Sequence, residues 1–273
     1  MRPPKAEKPL TDRELFEFDL TGYTIIRNFL SSERVGELNA SIDKWLGDRM
    51  PMKFPFLQLG ASFLDLLSDK RVMEICRFLL GKGFRLDTSF GIQFPPAPEG
   101  KTVGSENLHA GPFASQGVFR YHWFDNRPQC GLIVFAYFLE PVAENDGGLI
   151  LVPGSHKTNL PISSRDVYRV LLEGKLDAWW LHNPAMQAGD LLIFNEAVMH
   201  GTLGWKRNDH RRRNLHYGYS PAGQAQRDPE QLQKFLKLAR NDTEKDLLRA
   251  PYALRFDDDD FKLGDNEWRS AVR

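Results

Sequence analysis

From Phe84 onward the chain is a succession of short strand-like runs cut by glycine- and proline-rich turns. No other feature constrains its fold as strongly. The runs cover about 84–94, 131–139, 148–152, 190–194 and 212–219. Between them lie turns such as Pro95-Pro96-Ala97-Pro98, Asn145-Asp146-Gly147-Gly148 and Pro153-Gly154-Ser155. Many short strands joined by turn chemistry read as a sandwich or jelly roll rather than a βαβ fold.

The first third reads differently. Residues 1–10 have the composition of a loose tail. Thr11 and Glu14 form a capping box that opens a short helix through Phe18. Tyr23–Arg27 is rich in β-branched residues and predicts a strand. Ser31 and Ser32 cap a helix whose apolar residues Val35, Leu38, Ile42 and Trp45 recur at helical spacing. A second helical region covers about 61–80 and ends at Gly81 and Gly83. Residues 228–248 return to a charged helical pattern, and Asp257–Asp260 is an acidic run. The expectation is one domain over 11–273: N-terminal helices over 11–83, a β core over 84–222, and a helical and acidic segment over 223–273.

Composition narrows the function classes. In 273 residues, 36 Lys and Arg balance 36 Asp and Glu, so neither a nucleic-acid polymer nor an anionic membrane is an expected partner. Cys76 and Cys130 are too few for a disulfide scaffold and read as buried thiols. The start carries no apolar stretch of the signal-peptide kind. The longest apolar run, Leu132–Leu139, falls far short of the roughly 20 residues a membrane span needs. A soluble, cytoplasmic protein is expected.

Of the seven histidines, two stand in promising surroundings. His109 lies in a loop entering the β-rich region, and His200 lies just past the run 190–194. Arg211 follows eleven residues after His200.

Here the sequence resembles a known family. The segment Gly131–Lys157, with its Asp-Gly-Gly and Pro-Gly-Ser-His turns, is similar to the phytanoyl-CoA dioxygenase family. So are Ala188–Asn195, His200-Gly201-Thr202, the downstream Arg211 and the N-terminal stretch Phe16–Ile26; the similarity spans roughly 12–222. The resemblance implies a double-stranded β-helix (jelly-roll, cupin-like) core, mainly β with flanking α-helices. It also implies a non-haem Fe(II) centre with 2-oxoglutarate and O2 as co-substrates. His109 and His200 would hold the metal. Arg211 would pair with the far carboxylate of 2-oxoglutarate, with Thr202 and Gln93 in the same pocket.

One departure matters. The family normally places a carboxylate two residues after the first histidine, and here that position is Gly111. No histidine in the chain is followed at that spacing by Asp or Glu. Non-haem iron halogenases resembling this family make the same replacement. The resemblance therefore implies chloride or bromide at Gly111, and a halogenase acting through a halo-oxo-iron(IV) intermediate on an unactivated C–H. Alternatives stay open. Glu106, Asp125 or Glu196 could supply a carboxylate from elsewhere, or water could fill the gap, either giving a 2-oxoglutarate-dependent hydroxylase. A non-catalytic jelly-roll binding protein is a further alternative.

Lys206 and Arg213 belong to a basic stretch beside the proposed iron site, and Phe113 and Trp123 to an aromatic cluster near His109. An anionic, ring-containing small molecule would satisfy both. Among the substrates of freestanding halogenases, an adenine deoxynucleotide monophosphate suits them best.

Overall fold

The computed structural model describes residues 9–104, 107–109, 119–124, 127–158 and 180–253. Gly111, Phe113, Glu106, Asp125 and Asp257–Asp260 lie outside the described residues. In chain order the elements are α1 (Asp12–Thr21), β1 (Tyr23–Ile26), α2 (Ser32–Leu46), β2 (Lys53–Phe54), α3 (Ala61–Leu67), α4 (Lys70–Leu80) and β3 (Phe84–Phe94). There follow β4 (Asn107–His109), β5 (Tyr121–Phe124), β6 (Arg127–Cys130), β7 (Ile133–Phe138), β8 (Gly148–Leu151), β9 (Leu191–Asn195), β10 (His200–Leu203), β11 (Arg212–Pro221) and α5 (Asp242–Leu248).

The strands form a six-stranded antiparallel sheet in the order β1-β9-β7-β11-β3-β2, a three-stranded sheet β4-β10-β8, and a β5-β6 hairpin. Period-two alternation explains why the large sheet's central strands read as unbroken apolar runs. Ile133, Phe135 and Tyr137 of β7, Leu191 and Ile193 of β9, and Leu215, Tyr217 and Tyr219 of β11 join the helices in one core cluster. Their neighbours Val134, Ala136, Phe138, Leu192 and Phe194 point the other way, into a second cluster with Leu149, Leu151 and Trp205. Each fully buried large apolar side chain contributes about 1.5–3 kcal/mol, so both faces hold the sheet in place. The architecture is the expected jelly roll, mainly β with helices on one side.

The helices follow their capping signals. Thr11 and Glu14 form the reciprocal box, and Ser31 accepts from the Arg34 amide. The region 61–80 divides into two helices, because the Asp69 side chain accepts from the Val72 amide and starts α4 afresh. Leu10, expected within a loose tail, is fully buried against the helical layer. Both cysteines are free and buried. Among the described residues no helix is long and apolar enough to cross a membrane.

Candidate active site

On the inner face of β11 the apolar rule fails. Arg212, Asn214 and His216 occupy the inward positions and are buried. Polar side chains there leave the sandwich unfilled at one end, and a cavity of about 780 Å³ opens between the sheets. Its walls include Thr88, Phe90 and Phe94 of β3, Asn107 and His109 of β4, His200 and Thr202 of β10, together with Glu196, Arg212 and His216.

The two expected histidines meet in this cavity. Both lie on strands: His109 ends β4 and His200 begins β10, where the two are direct partners in the antiparallel register. Their ring centroids are 4.5 Å apart. The turn from β9 to β10 adds a carboxylate. Asn195 Oδ1 accepts from the Ala197 amide at 2.9 Å, and the Val198 amide donates to the Asn195 carbonyl at 2.9 Å. Ser155 of the Pro-Gly-Ser turn accepts from the Met199 amide at 2.7 Å, bracing the residue before His200. This tight connection leaves Glu196 Oε1 3.8 Å from His200 Nε2. Donor atoms of His109, Glu196 and His200 all lie within 4.8 Å of one another.

The protonation states suit metal binding. His200 Nδ1 donates to the Val198 carbonyl at 2.8 Å, which leaves the Nε2 lone pair for the cavity. Burial holds His200 down to about 4. Burial, and then the neighbouring His200, hold His109 down to about 4 as well. Both rings are therefore neutral near pH 7. Burial pushes Glu196 up to about 7, opposed by the charges of His109 and Arg227. A divalent cation would reverse that burial cost and keep the carboxylate ionised. Two imidazoles and one carboxylate on one side of a metal form the donor set of non-haem Fe(II) oxygenases, so the residues fit iron(II).

Arg211 and Arg212 are neighbours with opposite placements. Arg211 donates through Nε to Glu140 at 2.9 Å and through Nη1 and Nη2 to Asp43 at 2.8 and 3.0 Å, outside the cavity. Arg211 therefore does not reach the cavity in which its contact with 2-oxoglutarate was expected, whereas its neighbour does. Arg212 is 1% exposed, lines the cavity and stacks over Phe94 at 5.3 Å. Its Nε and Nη1 have no hydrogen-bond partner. A buried guanidinium without an anion is costly, and burial holds Arg212 down to about 10. The carboxylate of 2-oxoglutarate fits this orphaned donor pair, and Thr202 faces the same cavity.

Other expected residues lie elsewhere. Gln93 and Arg213 face away from the cavity as direct partners across β3 and β11. Arg213 donates to Gln93 Oε1 at 2.8 Å, to Asn39 at 2.9 Å and to Asp43 at 2.7 Å, tying α2 to the sheet. Their polar atoms are taken up by one another and by Asn39, Asp43 and Met50, all outside the cavity. Lys206 is exposed and Trp123 is 52% exposed, and neither lines the cavity. His216, whose ring stacks on Phe90 at 4.9 Å, was concealed by its apolar strand context.

Comparison with known proteins agrees with this geometry. Residues 100–214 match the phytanoyl-CoA dioxygenase (PhyH) family. An ectoine dioxygenase of Nocardia farcinica is 24% identical over 221 residues, covering 69% of this chain and 71% of that protein. One from Halomonas elongata is 25% identical over 234 residues, covering 72% and 66%. HygX from Streptomyces hygroscopicus, crystallised with nickel and 2-oxoglutarate, superposes with a TM-score of 0.68 at 22% identity, covering 80% of this chain and 90% of its own. EctD from S. alaskensis, with 2-oxoglutarate and 5-hydroxyectoine, gives 0.61 at 20% identity, covering 81% and 79%. At these identities the structural likeness establishes the fold.

Proposed function

We propose, from the premise that this is a phytanoyl-CoA dioxygenase-like oxygenase of the iron(II)- and 2-oxoglutarate-dependent kind, that it hydroxylates a C–H bond of a small molecule. The premise is supported by the family match over 100–214 and by the histidine pair. The outcome rests on one observation: the Glu196 carboxylate shares the cavity wall with His109 and His200. Glu196 brings the oxygen ligand and negative charge that Gly111 lacks, which leaves no need for a halide to supply them.

His109 and His200 would hold the metal through neutral imidazoles, and Glu196 would complete the set as the anionic ligand. The chemistry that iron(II) would supply there is O2 reduction coupled to oxidative decarboxylation of 2-oxoglutarate to succinate and CO2. Arg212 and Thr202 orient the far carboxylate of 2-oxoglutarate. Phe94, Val134, Leu149 and Phe194 wall the chamber and limit water near the metal.

Halogenation is the second reading, favoured by Gly111 itself: without a carboxylate at that position, chloride or bromide would be a ligand. The nucleotide substrate expected with it belongs to this second reading. Reconstitution decides between them. The protein is incubated with Fe(II), 2-oxoglutarate, O2 and excess chloride over a panel of metabolites and nucleotides, and succinate and product mass are read. Succinate with a product gaining one oxygen supports hydroxylation. A product in which chlorine replaces hydrogen overturns it in favour of halogenation. Failure to bind Fe(II) or to form succinate with any compound would leave a binding protein.

A further inference from the structure

The cavity mouth carries two cations with no described task. Lys53 of β2 and Arg227 both line the wall, and both are exposed, unlike the deeply buried Arg212. The same two residues, with Thr88 and Phe90, also line an adjoining cavity of about 250 Å³. The two hollows thus meet at a basic rim.

Among the described residues neither makes an ion pair, whereas Arg27 pairs with Asp190, Arg34 with Asp65, and Arg213 with Asp43. Lys53 Nζ instead sits 5.1 Å from the Phe90 ring centroid, and Phe90 stacks on His216 with planes 7° apart. That contact holds the Lys53 stem along the cavity wall. The backbone at Arg227 is held by Asp87. Asp87 is 1% exposed, is paired with buried Arg85 at 3.0 Å, and accepts the Gln226 amide at 2.9 Å and the Arg227 amide. Like charges sharing one rim repel, and an anion between them would relieve that repulsion.

We infer that Lys53 and Arg227 form an oxyanion-binding subsite at the cavity mouth, and that the substrate carries a carboxylate or phosphate there. This rests on the iron(II)- and 2-oxoglutarate-dependent reading, with Arg212 taking 2-oxoglutarate in the depth and the rim taking the substrate. The anionic expectation from sequence is thereby moved from Lys206 and Arg213 to Lys53 and Arg227.

The test is calorimetric titration of the full chain loaded with Ni(II) and 2-oxoglutarate. The probes are phenyl phosphate, benzoate and uncharged phenol. Variants are Lys53→Met, Arg227→Gln and the exposed control Lys206→Met. At least one anionic probe is expected to bind about tenfold tighter than phenol, and whichever anion wins identifies the group. Lys53→Met and Arg227→Gln should each remove about tenfold of that advantage, leaving 2-oxoglutarate affinity and the Lys206→Met protein unchanged. Equal binding of charged and neutral probes, or no greater loss in the rim variants than in Lys206→Met, overturns the inference. Failure of 2-oxoglutarate to bind at all overturns the reading beneath it, and the inference with it.

Discussion

Glu196 Oε1 lies 3.8 Å from His200 Nε2, four residues away along the chain and across one tight turn. The carboxylate missing after the first histidine is therefore available beside the second. His109 comes from another strand, so the three donors meet only because β4 and β10 pair with His109 opposite His200. A halide reading built on residue 111 alone overlooks what the β9–β10 turn delivers.

The two neighbouring arginines should separate cleanly by experiment. Arg212→Met removes the buried guanidinium whose donors are orphaned on the cavity wall, and 2-oxoglutarate binding should weaken tenfold to about a hundredfold. Arg211→Met should leave that affinity within about twofold and cost at most about 1 kcal/mol, because its pairs with Asp43 and Glu140 are partly solvated. Titration of 2-oxoglutarate into both variants and thermal melts check this; equal losses in both would refute the assignment.

Gly201 is required by the strand pairing. A Cβ there would collide with the carbonyl oxygen of Asn107 on β4. Gly201→Ala must therefore push β4, and His109 with it, away from β10. The expected result is a loss of about 1–3 kcal/mol in stability and a larger loss in metal affinity, with the β11–β3 pairing intact. Chemical denaturation and Ni(II) titration measure the two effects. A variant with unaltered metal affinity would show that the His109–His200 register does not set the site.

The metal-free protein should be acid-sensitive. Burial holds His200 at about 4 and His216 at about 3, both below the ordinary 6.5. Stability from keeping these rings neutral is complete above about 6.5 and is lost as pH falls toward 3–4, on the order of 1–3 kcal/mol each. Glu196 acts in the other direction. Its raised value of about 7 favours the protonated form in the fold, so stability falls as pH rises from 4.5 through 7. Melts at about pH 5, 6.5 and 8 should show a steep loss below 6.5 and little change between 6.5 and 8 for the metal-free protein, where the histidine gain and the Glu196 loss offset each other. Ni(II) should make the protein more stable at about pH 8 than at 6.5, because a bound cation keeps Glu196 ionised. Melting temperatures independent of pH would contradict both assignments.

How far the sequence could be read depended on which interactions were local. Capping at Thr11 and Ser31 and the apolar runs of β7 and β9 are set by neighbours in the chain, and these elements formed where expected. The three-residue β4 carries too short a pattern to distinguish it from a loop, so His109 read as a loop residue. The choice between Arg211 and Arg212 turned on strand parity. Alternation puts the two on opposite faces, but only the packed sheet reveals which face meets the helices. Glu196 was visible as one of several acids, and only the β9–β10 turn, which sets it 3.8 Å from His200, marks it out among the described residues. Lys53 and Arg227 come from distant segments joined only by β2–β3 pairing and the Asp87 contact, which leave no signal in spacing.

The central claim is that Glu196 is the third metal ligand, and anaerobic Fe(II) titration of the wild-type protein beside Glu196→Ala and Glu196→Gln tests it most directly. Loss of a carboxylate ligand should weaken binding by more than about tenfold in both variants, with His200→Ala weaker still and chloride unable to restore wild-type affinity. Wild-type affinity in Glu196→Ala, or a wild-type affinity that itself depends on chloride, would contradict the account and return the vacant position at Gly111 to a halide.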